Sequence, residues 1–172
     1  ALGSVRAQLR LEFRLDRYRN DIETPETSMT ALISQDAFWI PEGEGKWSRP
    51  LRFLPGESGW VELMRLDPGV RLGLHRHTGL VHAYNVQGSR RLCTGEEIAP
   101  HGYVLEPAGN VDWWEATGDE PLVVFVVVIG AVEYLGEDGR VLERITTRDR
   151  IDDYRRWIEA SPGISGPIDE LL

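Results

Sequence analysis

The sequence predicts an all-β domain, an antiparallel barrel or sandwich, with one helix near its C-terminal end. Three observations predict it: short apolar stretches of strand length, explicit turn signals between them, and a continuous β-branched run from Leu122 to Ile129. The 18 glycines and 10 prolines favour many turns over long helices. At 172 residues the chain has the length of one core, enough to bury about 70% of its unfolded surface.

The elements follow in order. Residues 1–37 mix Arg, Asp and Glu with scattered Leu and Phe, and Thr24-Pro25-Glu26-Thr27-Ser28 is a polar loop. This stretch is expected to be a peripheral arm, with a short helix across 5–19. The barrel is expected over 38–146, starting near Phe38-Trp39-Ile40-Pro41. Strands are predicted near 49–54, 60–66, 71–77, 80–87, 90–93, 102–105, 111–115 and 122–131, separated by Pro55-Gly56, Asp67-Pro68-Gly69, Thr78-Gly79, Gln87-Gly88-Ser89, Pro107-Ala108-Gly109-Asn110 and Thr117-Gly118-Asp119. The run 122–129 is apolar at every position, so both of its faces should be covered, as in a central strand. Asp138-Gly139 marks a hairpin within 133–144. A helix over 147–160 places Ile151, Tyr154, Trp157 and Ile158 on one side, and Pro162-Gly163 ends it, leaving 147–172 as helix and tail.

Charge and composition exclude several classes. A formal net charge of −9, without a block of Lys and Arg, argues against nucleic acid as a partner. The run 122–129 is far shorter than the roughly 20 residues that span a bilayer, and no apolar signal region opens the chain, so no membrane role and a cytoplasmic location are expected. Cys93 is the only cysteine, which rules out an internal disulfide and a thiolate zinc cluster. It is expected to be a small buried residue. Any metal must be held by carboxylates and by the four histidines, His75, His77, His82 and His101. No phosphate-binding glycine loop, nucleophile elbow or dinucleotide fingerprint is present.

Residues two apart on a strand share a face, so His75 and His77 project together and form half of a metal chelate if that face is interior. Taken alone, the pattern fits two solvent-facing or hydrogen-bonded histidines equally well. The wider spacing narrows it. Gly69-x5-His75-x-His77-x4-His82 with Gly88, followed by Gly102-x4-Pro107-x-Gly109-x2-Asp112, resembles the two motifs of the cupins. Arg49-Pro50-Leu51-Arg52, Gly59-Trp60-Val61-Glu62-Leu63, His75-Arg76-His77-Thr78-Gly79 with Val81-His82, and Tyr103-Val104-Leu105-Glu106-Pro107-Ala108-Gly109 are similar to the 2,4'-dihydroxyacetophenone dioxygenase group among the ChrR-like cupins. The resemblance implies a double-stranded β-helix, a jelly-roll barrel, from about Trp39 to Ile129. It further implies a mononuclear iron that uses dioxygen to cleave the bond between a ketone carbon and its hydroxylated neighbour.

Two departures qualify the ligand set. Asp112 stands where the family has histidine, and Thr94 where a family glutamate aligns. The remaining set, His75, His77 and Asp112, is a two-histidine, one-carboxylate face suited to Fe(II) or another divalent transition metal. His82 falls where most cupins have their glutamate, as a fourth ligand or a hydrogen-bond partner of the ligands. The alternative for Asp112 is a hydrogen-bond acceptor left by a lost site. An inward Asp112 brings Trp114 inward too, and Trp114 with Trp60 is expected to wall a substrate pocket, against core packing as the alternative. Tyr84, on the face of His82, is the expected hydrogen-bond donor to substrate, while Glu106 is expected to pair with Arg90 or Arg91. The expected function is a dioxygenase acting with O₂ on an aromatic or diketone substrate as a homodimer. The alternatives are a non-catalytic cupin that binds a small molecule or metal, and a metal-independent isomerase or lyase using His and Asp as acid and base.

Overall fold

The structure is a computed structural model that describes residues 39–161 and 171–172. The expected N-terminal arm, its helix at 5–19 and the Pro162-Gly163 helix stop lie outside the described residues. Within them run strands β1 (Ile40–Gly43), β2 (Lys46–Phe53), β3 (Gly59–Leu66), β4 (Arg71–His77), β5 (Val81–Gln87), β6 (Ser89–Leu92), β7 (Glu97–Ile98), β8 (Tyr103–Glu106), β9 (Val111–Thr117), β10 (Leu122–Ile129), β11 (Val132–Leu135) and β12 (Val141–Ile145), then helix α1 (Thr147–Ala160).

Two six-stranded sheets face each other, ordered β1-β2-β3-β10-β5-β8 and β12-β11-β4-β9-β6-β7, with antiparallel neighbours throughout. Strand β10 runs between β3 and β5, and its alternate residues Leu122, Val124, Val126 and Val128 are buried between the sheets. Each such side chain contributes about 1.5–3 kcal/mol by leaving water. The outer residues Val123, Phe125 and Val127 are only half-buried, so a single chain covers one face of this strand completely and not both. Trp60, Phe53 and Leu66 complete this side of the core.

Turn chemistry explains the joints. Gly88, between β5 and β6, has φ +69°, and a Cβ there would lie 2.8 Å from the Pro121 carbonyl, so the turn requires glycine. Asp138-Gly139 sits between β11 and β12 as expected. Strands β1 and β7 were not expected; with four and two residues they are too short to show a period.

Helix α1 opens with a reciprocal cap between Thr146 and Asp149. It buries Ile151 and Tyr154 against the barrel, with Trp157 and Ile158 partly buried beside them. Arg150 shares this inner side. Its guanidinium donates to Glu62 at 2.7 Å, Glu42 at 2.8 Å and the Ser48 hydroxyl at 2.7 Å, tying the helix to β1, β2 and β3.

Candidate metal centre and its cavity

A β-bulge places the histidines. The register of β4 against β9 shifts between Leu72 and His75, so the buried positions are 72, 75 and 77 instead of one strict alternation. The same bulge leaves the Gly73 carbonyl 2.8 Å from His75 Nδ1. The Nδ1 proton is donated to that carbonyl, which leaves Nε2 of His75 with a free lone pair. Burial, partly opposed by the Gly73 bond, pushes the pKa of His75 below its usual value, toward the neutral form that binds metals.

The third group comes from the facing sheet. Glu106 ends β8, is 4% exposed, and lies with one carboxylate oxygen 3.3 Å from His77 Nε2. Asn110 donates to the same oxygen at 3.1 Å. Burial resists ionisation of Glu106, but the hydrogen bond and positive field of His77, with the Asn110 bond, outweigh it and hold the carboxyl below its usual range. One donor atom each from His75, His77 and Glu106 lies within 4.8 Å of the others. These are nitrogen and oxygen donors of the type first-row divalent metals accept, and Nδ1 of His77 is buried with no hydrogen-bond partner among the described residues. The residues present fit a metal.

The carboxylate that clusters with the two histidines is Glu106, not the expected Asp112. Asp112 does point inward and is buried, opposite His75 in the ladder. Its Oδ1, however, accepts from the backbone N–H of Cys93 at 3.0 Å and of Trp113 at 2.8 Å, so it fastens β9 to the turn after β6. The expectation that Glu106 pairs with Arg91 also fails, since Arg91 pairs with Glu115 across β6 and β9.

His82 and Tyr84 lie on the wrong side for the roles expected of them. Val81, Ala83 and Asn85 occupy the interior positions of β5, which turns His82 and Tyr84 outward. There His82 meets the Tyr103 hydroxyl at 2.6 Å and Tyr84 meets His101 Nδ1 at 3.2 Å. His101 itself is a turn residue with φ +67°. Cys93, expected to be buried, is exposed.

A cavity of about 690 Å³, mouth included, adjoins the triad. Trp60 and Trp114, each 2% exposed, stand in its wall with Leu72, Val126 and Val128. Two further groups line it that the sequence reading missed. Tyr134 packs its ring 6.0 Å from that of His75, and burial, then the charges of Glu62 and Glu42, push its hydroxyl up to about 12, so it stays a donor. Arg90 is 1% exposed and lies over the Trp114 ring at 5.0 Å.

Two facing antiparallel sheets with an inward H-x-H strand and a cavity between them define a cupin. The family model described as "ChrR Cupin-like domain" matches residues 27–133, and the chain belongs to that family. Among solved structures it is similar to an RmlC-like cupin protein from Ralstonia eutropha JMP134, at 20% identity over 76% of this chain and 87% of that one, with a TM-score of 0.69. It is also similar to an acetylacetone dioxygenase from Acinetobacter johnsonii, at 16% identity over 72% and 89%, with a TM-score of 0.66. A third is a cupin-fold protein of unknown function from R. eutropha JMP134, at 23% identity over 71% and 85%, with a TM-score of 0.63. These likenesses show the fold. No curated protein matches the chain.

Proposed function

We propose that this chain is a metal-dependent cupin dioxygenase, using Fe(II) or another divalent transition metal, that cleaves a carbon–carbon bond of an α-hydroxyketone or β-dicarbonyl substrate. The observation that carries the reading is the convergence of His75, His77 and Glu106, all buried, on a cavity walled by Trp60, Trp114 and aliphatic side chains. The acetylacetone dioxygenase from A. johnsonii, which shares this fold, supports the β-dicarbonyl class.

A bound metal would supply open positions for two substrate oxygens and for dioxygen. The chain's residues do the rest. His75 offers a neutral imidazole whose tautomer Gly73 fixes, and Glu106 supplies negative charge against the cation. Trp60 and Trp114 present flat apolar surface to an enolised or aromatic substrate and exclude water. Tyr134, in place of Tyr84, holds a proton for hydrogen bonding to substrate oxygen. The exposed strip of Tyr84, Tyr103 and Leu105 along β5 and β8 favours a second copy of the chain as partner. No described helix is long and apolar enough to cross a membrane, and the free thiol of Cys93 suits the cytoplasm.

An oxygen electrode tests the activity. Iron-loaded protein offered pentane-2,4-dione, 2,4'-dihydroxyacetophenone and related compounds should consume O₂ with one of them and yield cleaved products. Loaded protein that consumes no oxygen across the panel would favour a binding cupin or an acid–base lyase instead.

A further inference from the structure

Several buried hydrogen-bond donors of cavity-lining residues have no acceptor among the described residues. Five buried side-chain atoms lack a hydrogen-bond partner among the described residues, and four of them belong to cavity-lining residues: Arg90 Nε, Arg90 Nη2, Trp60 Nε1 and His77 Nδ1. Three of the four are donors whatever the histidine tautomer.

Arg90 is the most unusual of these. Strand β6 pairs with β9, so Arg90 faces Ala116 across the ladder, with its guanidinium over Trp114. The carboxylates nearest in charge are Glu106 and Asp112, but neither bonds to it. Glu106 is engaged by His77 and Asn110, and Asp112 Oδ1 by two backbone N–H groups. Arg91, next in sequence, points outward and pairs with Glu115, so the inward position of Arg90 is not forced by a lack of surface partners. A buried guanidinium with two nitrogens that donate to nothing is costly unless something in the cavity accepts from them.

We infer that the natural ligand of this cavity is an anion, an oxo- or hydroxy-acid whose carboxylate is received by Arg90 on one sheet, with Trp60 Nε1 on the facing sheet as a further unmet donor lining the cavity. This rests on reading the cavity as a substrate site and narrows the substrate class from neutral diketones to acids. The planar fork of arginine suits a carboxylate, whose two oxygens can accept from Nε and Nη2 together, whereas the methyl group of a ketone accepts from neither.

The probe pair is 2,4-dioxopentanoate and pentane-2,4-dione, which differ by a carboxylate in place of a methyl group. Both are titrated into the full chain as purified and again after treatment with a chelator, following tryptophan fluorescence, since Trp60 and Trp114 line the cavity. Wild-type protein should bind the acid about tenfold to a hundredfold more tightly than the dione, the range that a charge-assisted hydrogen bond commands. Arg90→Met should lose that preference and Arg90→Lys should retain part of it; Arg90→Gln gives the same reading if the Met variant does not fold. Equal affinities in the wild type, or an unchanged preference in a folded Arg90→Met or Arg90→Gln variant, would overturn the inference. The readout is binding, so a protein that consumed no oxygen would still report on Arg90.

Discussion

His75 is buried beside His77, and its neutral form is favoured by that burial. A histidine whose folded pKa lies below its unfolded value of 6.5 binds fewer protons in the native state, so native stability falls as pH drops below that value. In chelator-treated protein the urea midpoint should therefore decline between about pH 7.5 and pH 5.5, and His75→Asn should flatten the decline. Equal pH dependence in the two proteins would contradict this. At this scale the sequence was informative where a period of two could be anchored. The H-x-H pair and the shared face of Asp112 and Trp114 follow from strand alternation, and both pairs are buried. His82 and Tyr84 were misjudged because β5 carries plausible interior residues in both phases, and only the fold selects Val81 and Ala83. Glu106 shares a face with Val104, but its distance along the chain from His77 hides that the two sheets bring them together.

Among the elements, α1 is joined to the barrel by a polar contact as well as an apolar one. Arg150 sits four residues before Tyr154, on the inner stripe, and lies between the carboxylates of Glu42 and Glu62. Arg150→Ala leaves the buried Glu62 without its cation and should cost about 3–5 kcal/mol in urea unfolding, as the breaking of buried pairs does. A cost below about 1 kcal/mol, the worth of a surface pair, would show that the contact does not hold the helix. The helix and its apolar face were legible because 14 residues give a clear period of 3.6. An arginine within that stripe was the available signal for the buried pair. The bulge at β4 was not legible, because Gly73-Leu74 breaks the alternation without a marker that distinguishes it from an ordinary strand glycine.

For the whole molecule, turn spacing and β-rich composition carried the reading to two antiparallel sheets, and the cupin motifs carried it to the family. The sheet order was beyond reach, and with it the meeting of β4 and β8 that brings His75 and His77 to Glu106. In the proposed function these three side chains hold a metal. Metal analysis of protein purified without added metal, beside His75→Ala, Glu106→Ala and Asp112→Asn, tests it most directly. Close to one equivalent of transition metal is expected in the wild type and in Asp112→Asn, and its loss in the other two. Full metal in Glu106→Ala, or none in the wild type even after anaerobic addition of Fe(II), would contradict it.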